Sequence, residues 1–269
     1  MRVRIASESG RPDGRNEDWG GASGGVAVVL DGLTEGPATG CRHGTPWYVR
    51  QLGDRLLRLG ADREAPLTEV LAGAISEVAG LHASTCDLAH PGSPCSTVTI
   101  VRDRSDATVD YLVLSDSSVV LDVADGEPVV VTDRSVENFH PDMQAGAARR
   151  AVGLTDLIDA QQKIRNRPDG YWVAQVDPRA ADHATTGTLP GVRGAALLSD
   201  GVSLLVTTFH AVTWPSLLAI GYAQGPAELI RRTRELEDTD PRCERWPRYK
   251  HRDDATAAIV KLAPPDPDR

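Results

Sequence analysis

Gly25-Val26-Ala27-Val28-Val29-Leu30-Asp31-Gly32 is a short apolar run, β-branched in part, that closes on an acid and a glycine. Unbroken apolar character over so few residues predicts a buried strand rather than a half-exposed one. Asp31 then emerges where water and metal can reach it, and Gly32 lets neighbouring backbone come close. Asp-Gly is also an ordinary turn after a strand, so the run alone decides little. The design recurs, however. Ala195-Ala196-Leu197-Leu198-Ser199-Asp200-Gly201 repeats it, Asp116 lies in the turn Ser115-Asp116-Ser117 between two apolar runs, and Asp253 stands just ahead of the last one.

Working outward, residues 3–7 alternate and predict a first strand, followed by a turn-rich polar stretch from Ser9 to Trp19 that holds Glu17 and Asp18. Residues 45–59 carry Trp47, Leu52, Leu56 and Leu59 at helical spacing, with Thr45-Pro46 as cap and first turn. Residues 66–82 predict a second amphipathic helix, and the two helices should pair on one face of a sheet. Residues 96–101, 107–114, 118–123 and 128–131 read as strands joined by short turns, which predicts an antiparallel meander. Helical patterns follow at 143–152 and 154–165, in the most basic part of the chain (Arg149, Arg150, Arg165, Arg167), read here as a solvated face. Residues 171–176 and 185–189 predict strands, 214–223 and 226–236 helices, and 257–262 a final strand. Pro241 acts as a breaker between them.

No internal repeat or linker divides the chain, so residues 1–263 form one expected domain and the proline-rich residues 264–269 a frayed tail. The order of elements fits an α+β fold: an α/β/β/α four-layer sandwich of two mostly antiparallel sheets flanked by helices.

The 269 residues are enough to bury a substantial core, and a hydrophobic share of 41% with 25% charged is ordinary for a folded soluble protein. A net charge of −9 argues against nucleic acid or an anionic membrane as partner. The amino terminus has no apolar signal core, and no stretch approaches the roughly 18 apolar residues of a membrane span. Cys41, Cys86, Cys95 and Cys243 show neither a CxxC pair nor zinc spacing, and such scattered thiols fit a reducing cytoplasm.

If the acid-bearing strand ends converge, they make a cluster of hard oxygen ligands. Carboxylates that close repel one another unless cations sit among them. Oxygen-only ligation suits Mg²⁺ or Mn²⁺ rather than zinc. A carboxylate such as Asp31 could bridge two ions, and a water between them would become acidic enough to attack a phosphoester.

Six pieces carry a resemblance: Asn16-Glu17-Asp18, Val28-Val29-Leu30-Asp31-Gly32, Cys95-Ser96-Thr97-Val98, Leu114-Ser115-Asp116-Ser117, Leu198-Ser199-Asp200-Gly201-Val202 and Asp253-Asp254-Ala255-Thr256. In order and spacing the chain resembles the metal-dependent protein phosphatase family (PPM, type 2C) in its bacterial form. The resemblance implies a two-metal serine/threonine phosphatase on the sandwich already inferred, using Mn²⁺ or Mg²⁺. It implies that Asp31 bridges both ions, that the Gly32 carbonyl holds one, and that Asp200 and Asp253 bind the first. Glu17 would support the second through water. Asp116 matches a position that helps bind a third, weaker ion. Asp31, Asp200 and Asp253 are then the expected catalytic residues.

The chain also departs from the pattern. The family places an arginine four residues before the Glu to grip phosphate, and here that position is Asp13. Arg15, ahead of Arg11, is the expected replacement. Leu33-Thr34-Glu35 follows Asp-Gly where the family is glycine-rich, so no histidine stands there as general acid. Leu204 occupies a position that often carries another acid, which argues against a third metal site, and Asp254 replaces a common Asn. The expected substrate is a phosphorylated protein, either a kinase or its target. A phosphorylated small molecule is the alternative substrate, and a catalytically weak binding or regulatory module on the same fold is the alternative class.

Overall fold

The computed structural model describes residues 1–104, 108–138 and 154–262. β1 (Arg2–Glu8) leads through the polar stretch into β2 (Trp19–Ser23), which turns at Gly24-Gly25 into β3 (Val26–Leu30). Both turn glycines have positive φ, +59° and +87°, as a two-residue hairpin requires. Then come α1 (Thr45–Gly60), α2 (Leu67–His82), β4 (Val98–Asp103), β5 (Thr108–Leu114), β6 (Ser118–Val123) and β7 (Val129–Val131). After α3 (Leu154–Ile164), β8 (Thr185–Pro190) and β9 (Val192–Leu198), three helices follow: α4 (Asp200–Thr207), α5 (Trp214–Gln224) and α6 (Pro226–Asp238). β10 (Ala255–Lys261) closes the series.

The strands form two five-stranded sheets, β2-β3-β4-β5-β8 and β1-β10-β9-β6-β7, with every pairing antiparallel. Side-chain alternation gives each central strand two buried faces. Val26, Val28 and Leu30 of β3 pack under α1 and α2 with Leu52, Leu56, Leu71 and Ile75. Ala27 and Val29 face the second sheet, meeting Leu121, Leu197, Ala258 and Val260. On that sheet's other side, Leu198 and Ile259 are covered by Val202, Leu205, Leu217 and Leu229 of α4, α5 and α6. The result is the four-layer α/β/β/α sandwich. A Leu or Val taken from water this completely stabilises the fold by about 1.5–3 kcal/mol, which is why the acids can be crowded at one edge without unfolding it. No helix among the described residues is long and apolar enough to cross a membrane.

Several elements differ from the sequence expectation. The meander is broken: β4 and β5 belong to one sheet and β6 and β7 to the other. The connector Ser115-Asp116-Ser117 is short enough for a hairpin, but Ser115 adopts φ +72° and the chain crosses between sheets. Residues 171–176 form no strand. Only isolated bridges form, Ala174 with Ser96 at 2.9 Å in each direction and Tyr171 with Arg165, and Tyr171 and Val173 are buried beside Cys95. β2 and α4 were not anticipated. Arg165 is buried rather than solvated, its Nε donating to the Tyr171 hydroxyl at 3.2 Å. The helix expected at 143–152, with Arg149 and Arg150, lies outside the described residues, as do residue 263 and the expected tail at 264–269.

Candidate functional site

Asp31 follows the carboxyl end of β3, and three hydrogen bonds with Ser96 and Thr97 hold its backbone. Thr97 N–H donates to the Asp31 carbonyl at 2.9 Å, the Ser96 hydroxyl donates to the same oxygen at 3.0 Å, and Asp31 N–H donates to Thr97 Oγ1 at 3.2 Å. Gly32 N–H donates to the Glu17 carbonyl at 3.1 Å. A Cβ on Gly32 would overlap that carbonyl oxygen and the Thr45 methyl, so this approach is open only to glycine. The segments around Glu17 and Thr97 thus serve as the clamp that aims Asp31.

Asp200 is the first residue of α4, and its N–H donates to Asp31 Oδ2 at 3.3 Å. Two acids far apart in the chain therefore meet directly. Asp253 precedes β10, and its Oδ1 accepts from Lys250 Nζ at 2.6 Å. Asp31, Gly32, Asp116, Asp200 and Asp253 all line one cavity of about 310 Å³. Its remaining wall includes Leu157 and Ile158 of α3 and the apolar Leu204 of α4.

The electrostatics record the crowding. Burial pushes the Asp31 carboxyl well above its ordinary range, and Asp18, Asp200, Asp253 and Asp116 push it further. Burial, then Asp253 and Asp116, raise Asp200 to about 7, while Lys250 pulls it back. Asp18 is raised well above its usual value by burial, and by Asp254 and Asp253. Burial alone would lower the Lys250 pKa, but Asp253, with Asp200 and Asp31 behind it, raises it above the ordinary lysine range.

The neighbouring opening is lined by Arg11, Arg15, Glu17, Thr34, Glu35 and Lys250. Arg15 bonds Glu35 at 2.9 Å and lies 3.7 Å from Glu17, which Arg11 also grips. Burial raises the Glu17 pKa, partly offset by Arg11 and Lys250. Asp254 is a backbone clamp, accepting from Gly10 N–H at 2.8 Å and Glu17 N–H at 2.6 Å. His251, close in sequence to Asp253, turns away, with Nε2 3.0 Å from the Glu237 carbonyl oxygen.

All six acid and glycine positions singled out in the sequence lie at or beside this cavity, and Arg15 lies at the adjoining opening. Sequence reasoning missed Lys250 and counted Asp18 only among the acids that could converge, with no role of its own. Asp18 carried a signal, its place next to Glu17 in the Asn-Glu-Asp piece. Lys250 is a single cation in a polar connector, and nothing in its spacing marks it.

The donor set fits a hard divalent cation. Both carboxylate oxygens of Asp18 and Oε1 of Glu17 are buried without a hydrogen-bond partner. Buried anionic oxygens of this kind are costly unless a cation compensates them. Lys250 on Asp253 and Arg11 and Arg15 on Glu17 offset only part of this negative charge. Oxygen ligands alone suit Mg²⁺ or Mn²⁺.

No protein-family model and no curated protein sequence matches the chain. Its fold is nonetheless one shared by bacterial serine/threonine phosphatases of known structure. The Mycobacterium tuberculosis serine/threonine phosphatase PstP/Ppp superposes with a TM-score of 0.65 at 16% identity, covering 98% of this chain and 99% of that one. The catalytic domain of PstP in complex with two manganese ions gives 0.59 at 17% identity, with 98% of each chain covered. PppA, a regulatory component of type VI secretion in Pseudomonas aeruginosa, gives 0.56 at 17% identity over 97% of this chain and 96% of that one.

Proposed function

We propose that this chain is a Mn²⁺- or Mg²⁺-dependent phosphatase that hydrolyses phosphoserine and phosphothreonine in proteins. The observation that carries the reading is the meeting of Asp31 and Asp200 on one cavity wall with Asp253 and Asp116 beside them. The shared fold supports it, and the manganese bound by PstP supports the choice of metal.

Asp31, Asp200 and Asp253 are the proposed catalytic residues. Together with Glu17, Asp116 and the Gly32 carbonyl they would hold the ions. When bound, such ions supply Lewis acidity toward phosphoryl oxygens and lower the pKa of water at neutral pH. Asp31, in contact with Asp200 and tied to the Glu17 segment through Gly32, is placed to serve both ends of the cluster. Arg15, with Lys250 and Arg11 at the same opening, offers charge-assisted hydrogen bonds to a phosphate dianion. To do so it must release Glu35. Among the described residues no histidine lines the cavity, and the departing serine or threonine oxygen would take its proton from water. The substrate is a phosphorylated protein, a kinase or its target, in the cytoplasm.

One observation favours a second reading, a binding module on the same fold: Lys250 already places a cation on Asp253. A single assay separates the two. The purified chain is given a chromogenic phosphoester and a phosphothreonine peptide with and without Mn²⁺, beside Asp31→Ala and Asp200→Ala. Metal-dependent turnover lost in both variants supports the phosphatase. No turnover on either substrate supports the module, and turnover of the small ester alone points to a small-molecule substrate.

A further inference from the structure

Although the cysteines show no ligand spacing in the sequence, the fold gathers two of them with a histidine, away from the carboxylate cluster. Cys41 lies in the loop between Asp31 and α1. His82 ends α2, and Cys86 follows one turn later, its N–H donating to the His82 carbonyl at 2.9 Å. Spacing of four along a helical turn puts both side chains on one side. Cys41 Sγ is 3.3 Å from Cys86 Sγ and 3.4 Å from His82 Nδ1, and the three donor atoms all lie within 4.8 Å of one another. Tetrahedral zinc, about 2.3 Å from sulfur and 2.0–2.1 Å from nitrogen, sets its ligand atoms roughly 3.5–3.8 Å apart. A disulfide would bring the sulfurs to about 2.05 Å and leave the histidine without a part.

The surroundings fix this geometry. Thr39 Oγ1 bonds both the N–H and the carbonyl of Cys41, at 3.2 and 2.8 Å, and Asp87 N–H donates to the Gly40 carbonyl at 2.9 Å. The Gly40–Asp87 bond ties the loop to the segment after α2, and on the other side of Cys41 His43 Nε2 lies 3.5 Å from Thr85 Oγ1. His82 is only 1% exposed, and its Nε2 has no hydrogen-bond partner. Burial, with His43 nearby, favours the neutral imidazole, which is the form that coordinates metal. His43, stacked on Trp47 at 4.4 Å between ring centroids, lies 6.1 Å from the His82 ring centroid.

We propose that Cys41, His82 and Cys86 form a zinc site that pins the loop of residues 33–44 to the end of α2. Sulfur and imidazole ligands select zinc over the Mg²⁺ or Mn²⁺ suited to the carboxylates, so the two sites take different ions. The pinned loop carries Glu35, which bonds Arg15 and caps the Thr45 N–H at the start of α1. The proposal is independent of the phosphatase reading.

The test is the metal content and cobalt spectrum of the full chain purified under reducing conditions. Zinc is expected at about one ion per chain, lost in Cys41→Ser/Cys86→Ser and retained in Cys243→Ser and Asp31→Asn. Because the double variant could misfold, wild-type protein reconstituted with Co²⁺ gives a second readout. A thiolate-to-cobalt charge-transfer band is expected, which oxygen ligands cannot produce, and Cys41→Ser alone should cut its intensity by about half or more, one of the two thiolates being lost. A reduced wild-type protein without that band, zinc content unchanged by the double substitution, or a Cys41–Cys86 disulfide in the purified protein would each overturn the assignment.

Discussion

Asp31-Gly32 and Asp200-Gly201 are the same dipeptide after the same kind of buried strand, yet the chain does opposite things beyond them. After Asp31 it stays extended, with Gly32 bridged to Ser96. After Asp200 it coils at once into α4. The side chains downstream of each glycine explain the difference. Val202 and Leu205 recur at helical spacing and are buried over the second sheet, whereas Leu33-Thr34-Glu35-Gly36-Pro37 has no such face and ends on a proline. What the two sites share is a close approach. A Cβ on Gly32 would overlap the Glu17 carbonyl, and one on Gly201 the Asp254 carbonyl. Each Asp-Gly therefore docks against another acid-bearing segment, and the dipeptide encodes that docking rather than a turn.

The largest effect should come from the acids themselves. Asp31→Ala and Asp200→Ala should each lower metal-dependent turnover on the order of 100- to 1000-fold, the scale for losing one group that stabilises a charged transition state. A steady-state assay in which only one of them matters would break the parallel. Gly201→Ala and Gly32→Ala should each cost about 1–3 kcal/mol through overlap with backbone, lowering the melting temperature by roughly 2–4 °C per kcal/mol. An unchanged melting curve for either would restore the simple-turn reading.

The carboxylates should also leave a mark on metal-free protein. Asp200, raised to about 7, and Asp31, also raised, keep a proton in the folded state that the unfolded chain releases near pH 4. Their contribution to stability is therefore present below about pH 4 and lost as pH rises through about 7. In chelator, melting temperature should fall between about pH 5 and 7.5, and Asp200→Asn should flatten that slope. Melting temperatures rising over the same window would contradict the crowding. The smallest effect is expected at Arg15, whose side chain is 43% exposed and shared with Glu35. Arg15→Ala should raise KM for a phosphopeptide severalfold and leave Mn²⁺ affinity alone. An unchanged KM would shift the phosphate grip to Lys250.

Much of this was legible because period and chemistry coincide. Leu52, Leu56, Leu71 and Ile75 gave α1 and α2 through helical spacing, and the acids announced themselves by ending apolar runs. What stayed hidden depended on partners distant in sequence. The crossing at Ser115-Asp116-Ser117 follows from β5 pairing with β8 and β6 with β9, which no local pattern states. β2 has glycines where a strand wants branched side chains, because the Trp19 ring packs over Gly21 and Gly53. The Gly24-Gly25 pair was the available clue. α4 is a short apolar run that periodicity alone cannot distinguish from strand. Lys250 and the Cys41–His82–Cys86 group are brought into place by loops, whose paths leave no periodic trace.

The most direct measurement is a double-mutant cycle on Mn²⁺ affinity, by calorimetric titration of wild type, Asp31→Asn, Asp200→Asn and the pair. Carboxylates that share ions should couple, so that the double substitution costs clearly less or more than the two single losses summed. Losses that simply add, or an affinity that neither substitution changes, would mean the two strand ends do not build one centre.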